Sequence, residues 1–92
     1  MIYKVHRKNT FKKDLKRCQK RNYNLNLIRT IILRLSEKGN IPAKHNPHLL
    51  KGNYKGHWEC HIKPDWLLIW LQDDKEKEIT LVRTGTHSDL FK

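Results

Sequence analysis

The run "WLLIWL", residues 66–71, places six apolar side chains in succession with no polar interruption. Successive side chains of a strand point to opposite faces, so an unbroken apolar run is expected of a central strand covered on both sides. The chain has only 92 residues with which to provide that cover. This length suits one small domain, residues 1–92, and is too short for two that each bury a useful core.

The neighbouring segments supply the rest of a sheet. In "HWECHI", residues 57–62, alternation puts Trp58, Cys60 and Ile62 on one face and His57, Glu59 and His61 on the other. "EITLVRT", residues 78–84, is a last strand reached through the polar turn "QDDKEKE", and "MIYKVHR" at the start reads as a first strand. Between the first strand and the rest lie two helical patterns. Thr10 is placed to cap a helix carrying Phe11, Leu15 and Cys18 at i, i+4 and i+7. Asn24 opens a second helix with Leu25, Ile28, Ile31, Ile32 and Leu35 on one stripe, and Gly39 stands where a left-handed cap would end it. The predicted fold is therefore α+β in the order β-α-α-β-β-β, with both helices packed on a mainly antiparallel sheet. A long loop, "NIPAKHNPHLLKGNYKG", separates the second helix from the second strand, and loops of this length are often functional.

Charge narrows the function. The net charge is +11, and it is uneven: residues 1–51 hold 14 Lys/Arg against Asp14 and Glu37, a balance of +12, while residues 52–92 hold six against seven, a balance of −1. Lys12, Lys13, Lys16, Arg17, Lys20 and Arg21 fall largely outside the apolar stripe of the first helix. Lysines in a first helical turn oppose the macrodipole, so their placement favours a polyanionic ligand over helix stability. The duller reading is a solvated helix face. No apolar stretch is long enough to cross a bilayer, and the N-terminus lacks the apolar region of a secretory signal, so the cytoplasm is the expected compartment and no membrane is expected as a partner. Cys18 and Cys60 are then expected to be buried free thiols.

The predicted strand order also brings polar groups together. A hairpin through Lys63-Pro64-Asp65 leaves His61 and Asp65 at one end of the sheet, and a second hairpin returns the last strand to that end with Arg83 and "TGTH", which contains His87. Two imidazoles, a carboxylate and a guanidinium suit phosphodiester chemistry. An attacking hydroxyl needs a proton acceptor, the leaving oxygen needs a donor, and the transition state needs fixed positive charge. Histidine can take either proton role near neutrality. Taken singly, each residue has a plainer role: Asp65 is a common turn residue after proline, Trp58, Trp66 and Trp70 are core, and Arg83 could pair with a strand neighbour. A zinc site from His57, Cys60, His61 and His87 is disfavoured because alternation sets Cys60 opposite the histidines. No metal and no cofactor are expected. The rival functions are a non-catalytic basic RNA- or ribosome-binding module and a regulatory protein-binding partner.

"HLLKGNYKG", "ECHIKPDWLLIW" and "VRTGTHSDLF" resemble the signature segments of YafQ-type toxins, a branch of the RelE superfamily of bacterial toxin-antitoxin systems. The resemblance extends along the whole chain. It implies a small RelE-like microbial ribonuclease fold and an mRNA interferase that enters the ribosomal A site, contacts 16S rRNA, and cuts translated mRNA without a metal by attack of a ribose 2′-hydroxyl. It also implies a cognate antitoxin with a DNA-binding region and an acidic C-terminal segment. The implied catalytic residues are His48, His61, Asp65, His87 and Phe91, with Arg83 at a phosphate contact. His87 and Asp65 would lead proton transfer, His48 and His61 would neutralise phosphate, and Phe91 would stack on a base. The chain departs from the family at His57-Trp58, where relatives commonly carry an aromatic residue and then an arginine.

Overall fold

A computed structural model describes residues 2–91. Its elements run β1 (Lys4–Arg7), α1 (Asn9–Lys20), α2 (Leu25–Lys38), β2 (His48–Leu49), β3 (Trp58–Lys63), β4 (Trp66–Asp73), β5 (Glu78–Gly85) and α3 (His87–Leu90). The five strands form one sheet in the order β1-β5-β4-β3-β2. Only the β1–β5 pair is parallel, and the other three are antiparallel. The expected architecture is present, with β2 and α3 as additions.

The continuous apolar run of β4 is explained by two unequal layers. Trp66, Leu68 and Trp70 join Phe11, Cys18, Ile28, Ile31 and Leu35 in the larger core beneath α1 and α2. Leu67 and Ile69 pack on the other face with Val82 and Leu90, under Leu50 and Tyr54 of the long loop. Each aliphatic side chain buried this way contributes about 1.5–3 kcal/mol relative to exposure. Gly39 ends α2 in the left-handed region at φ 69°, and a Cβ there would lie 2.5 Å from the Tyr3 ring, so both conformation and space require glycine.

Thr10 does not cap α1. The helix begins at Asn9 after Lys8, which gives no side-chain cap. β1 ends opposite Leu81, leaving the outer edge of β5 without a strand partner beyond that point. Side chains of α1 take over: the Thr10 hydroxyl donates to the Val82 carbonyl at 2.7 Å, and Asp14 accepts from the Thr84 N–H at 3.1 Å. A buried strand edge leaves peptide groups that must be paired, and this requirement outweighs the cap. Asn24 does cap α2, accepting from the Asn26 N–H. The long loop is not structureless either. It contains single 3₁₀ turns at Ala43–His45 and Gly52–Tyr54, and β2 pairs with β3 between them. Among the described residues no helix is long and apolar enough to cross a membrane.

Candidate active site

The site lies at one end of the sheet, on the face away from α1 and α2. Cross-strand register places it there: His48 stands opposite Glu59, Glu59 opposite Ile69, and His61 opposite Leu67. Directly opposed residues share a face, so His48, Glu59 and His61 lie on the side of the smaller apolar layer. β3 and β4 are joined by Pro64-Asp65, which brings Asp65 to the mouth of the hairpin. β5 ends beside it, where Leu67 pairs with Gly85, and the next turn of chain is α3.

α3 is held by its own sequence. The Thr86 hydroxyl accepts from the Asp89 N–H while Asp89 accepts from the Thr86 N–H, a reciprocal cap. His87, at the first helical position, donates to Asp65 twice: its N–H at 2.9 Å and its ring Nδ1 at 2.6 Å meet the same carboxylate oxygen. These bonds, the backbone one foremost, hold the Asp65 carboxyl below its usual range. With Nδ1 committed, Nε2 of His87 is left to exchange a proton. The His61 ring lies 5.7 Å from the His87 ring, centre to centre, and the His48 ring 6.4 Å from His61. Phe91, 44% exposed, lies 6.5 Å from the His87 ring and meets Tyr54 edge to face.

The structure thus brings together His48, His61, Asp65, His87 and Phe91, including the loop residue His48 that the hairpin geometry left unplaced. Arg83 is close by but engaged: Nε donates to Asp14 at 2.6 Å and Nη2 at 3.2 Å. Asp14 is 3% exposed, and this pairing is the main cause of the raised pKa of Arg83. The basic set of α1 divides similarly. Lys12, Lys13, Lys16 and Lys20 are exposed, but Arg21 donates two hydrogen bonds to Asp89 of α3, and Arg17 approaches the same carboxylate at 3.5 Å. Two of the six basic residues therefore brace α3. His57 precedes β3 and faces Tyr54 rather than the cluster.

Three contributing carboxylates were missed by sequence reasoning. Asp89 carried a legible signal in Thr86-x-x-Asp89, a capping pattern. Asp14 on a basic helix and Glu59 on a polar strand face carried no such signal, yet they are only 3% and 5% exposed. The zinc alternative is not supported by the geometry: Cys60 is fully buried in the helix-side core, and burial pushes its thiol up to about 12. Among the described residues no three His, Cys, Asp or Glu side chains are arranged to hold a metal ion.

Residues 3–92 match the family described as bacterial toxin of type II toxin-antitoxin system, YafQ, and the chain belongs to that family. It is 37% identical over 82 residues to the mRNA interferase toxin YafQ of Escherichia coli strain K12, covering 88% of this chain and 87% of the relative. The toxin in the crystal structure of the E. coli DinJ-YafQ toxin-antitoxin complex superimposes with a TM-score of 0.89 at 32% identity, covering all of both chains. A metal-bound toxin from Helicobacter pylori gives a TM-score of 0.87 at 36% identity, covering 99% of this chain and 100% of that one.

Proposed function

We propose that this toxin is an mRNA interferase that cuts translated messages in the ribosomal A site by metal-independent transfer of the phosphodiester to the adjacent 2′-hydroxyl. The observation that carries the reading is the His87–Asp65 couple, with the His61 ring 5.7 Å from the His87 ring, centre to centre. The hydrogen-bonding of each ring suggests its role. His61 has no bond shorter than 3.8 Å from a carboxylate to its Nε2, so it is free to accept the 2′-hydroxyl proton. The 2′-oxygen then bonds to phosphorus, the bond to the 5′-oxygen breaks, and His87 Nε2 protonates that leaving oxygen. Products are a 2′,3′-cyclic phosphate and a 5′-hydroxyl end. Asp65 stays ionised and orients His87 rather than acting as the base. His48 helps to bind the phosphate, the outer part of Arg83 supplies fixed positive charge, and Phe91 offers a half-exposed face for a base.

The free lysines of α1 would contact 16S rRNA, and a cognate antitoxin with an acidic segment would cover part of this cationic surface. The toxin would act in the cytoplasm, where translating ribosomes are found. The test is His87→Ala on a reporter message cleaved by the purified toxin during translation. The expected result is a loss of about 10²-fold or more in cleavage rate, with folding and antitoxin binding retained. Full cleavage by the folded variant would refute the assignment. A parallel reaction in which trace transition metals are chelated while ribosomal magnesium is kept should cleave at the unchanged rate.

A further inference from the structure

β2 and β3 pair as strands only at His48 with Glu59 and Leu49 with Trp58, and the Leu50 N–H bonds the His57 carbonyl just beyond. Residue pairs that exchange backbone bonds alternate along an antiparallel ladder, so this register would make Asn46–His61 the next such pair after His48–Glu59. The chain does not continue that way. Asn46 turns into the left-handed region at φ 50°, and its N–H closes a 3₁₀ turn on the Ala43 carbonyl at 2.9 Å. The outer edge of β3 therefore has no strand partner at His61, the residue whose ring accepts the proton.

A side chain takes that place. His45 Nδ1 lies 2.8 Å from the His61 carbonyl oxygen, and because a carbonyl only accepts, the ring is the donor. The bond that the Asn46 N–H would have made is thus supplied by the half-buried imidazole of the residue before it. The same turn reaches a second ring of the site, since the Asn46 carbonyl accepts from His48 Nδ1 at 2.8 Å. Ile41, buried in the larger core, anchors the chain just before the turn. One 3₁₀ turn therefore holds the backbone of His61 and the ring of His48, and the two rings stand 6.4 Å apart, centre to centre. We infer that His45 is a positioning residue of the reaction: it fixes the stretch of β3 from which His61 projects and pins the turn that aims His48. It acts through the His61 backbone. The position requires a proton on Nδ1, which the neutral Nδ1–H tautomer and the imidazolium both provide.

This inference rests on the ribonuclease reading, and the spectroscopic arm of its test is independent of that reading. His45→Asn keeps an N–H close to the Nδ1 position, whereas His45→Phe keeps the ring volume and has no donor. Misplacing a reacting group by about 1 Å can cost about 10²-fold in rate. In single-turnover cleavage on programmed ribosomes, His45→Phe should lower the saturating rate by about 10-fold or more while half-saturation moves less than about twofold. His45→Asn should recover most of that rate. The pH profile of the activity left in His45→Phe should keep the parent's shape, because the groups that exchange protons are still present. Imidazole ¹⁵N spectra of the free parent should show the His45 proton on Nδ1, and His45→Phe should move the His61 and His48 ring signals while leaving that of His87 in place. Parental rates in His45→Phe, an equal loss in His45→Asn, a changed pH profile, or an Nε2–H tautomer at His45 in the parent would each overturn the inference. A parent that cleaves no mRNA while the spectral changes appear would instead count against the ribonuclease reading.

Discussion

Asp65 and Glu59 both stand beside histidines, in different surroundings. Asp65 is well exposed, so its charge is solvated, and its grip on His87 depends on the two bonds that one oxygen accepts. Asp65→Asn can still present an oxygen to those donors but no longer opposes the charge on the ring. The variant is expected to bind ribosomes as the parent does and to cleave about 10²-fold more slowly, a separation that single-turnover kinetics over a range of ribosome concentrations would read. Normal cleavage would show that Asp65 serves only the turn. The residue types at this edge were legible in the sequence because the hairpin Lys63-Pro64-Asp65 and the return of β5 follow from strand order. Glu59 was not legible. Strand alternation put it on the same face as His61, but nothing local indicated that Leu50, Tyr54 and α3 would cover part of that face.

All six elements expected from sequence are present, and the clearest signals were the long periodic ones: α2 with its apolar stripe and Gly39 stop, and β4 with its unbroken run. β1 spans four residues, and its parallel pairing with β5 depends on a distant partner rather than on its own pattern. α3 is four residues long, too short for helical periodicity, and only its cap could have announced it. Its position nevertheless governs the site, because His87 and Phe91 sit at its two ends. Arg21 is the main cause that holds the Asp89 carboxyl far below the usual range. A depressed folded pKa means that the stabilisation is present above the unfolded carboxylate value, near 4, and is lost as pH falls through the lower folded value. Asp65 is shifted the same way by its His87 bonds, so both anchors of α3 are expected to let go together in acid, below the ordinary carboxylate range. Asp89→Asn should release the helix at neutral pH, at a cost of about 1–2 kcal/mol from the cap and a partly exposed ion pair. Denaturant unfolding gives the energy, and loss of amide protection at 87–91 with β4 and β5 still protected gives the location. Equal protection in the variant would mean that Leu90 packing alone seats α3.

At the scale of the molecule, the +12 half of the chain divides between charges that hold the fold and charges left for a partner. Arg17, Arg21 and Arg83 meet Asp14 and Asp89 through planar guanidinium groups, which suits them to bracing α1 against β5 and α3. Lys12, Lys13, Lys16 and Lys20 project from α1 into solvent. The helix thus serves two purposes, and substitution can separate them. Arg21→Glu would set two acids together at Asp89 and should act through α3, lowering cleavage on every RNA with little change in salt dependence. Reversing Lys12, Lys13 and Lys16 to glutamate should leave unfolding energy and the α3 contacts intact, while weakening ribosome binding. Contacts of this kind release condensed counterions, and each one removed lowers the slope of log affinity against log salt by about 0.7–0.9. The triple variant should therefore show weaker binding and a slope shallower by about two or more, with cleavage restored toward the parent rate at saturating ribosomes. A variant with unchanged affinity and slope would make the lysine face ordinary solvated surface, and docking would then have to rest on the residues around the cleft itself.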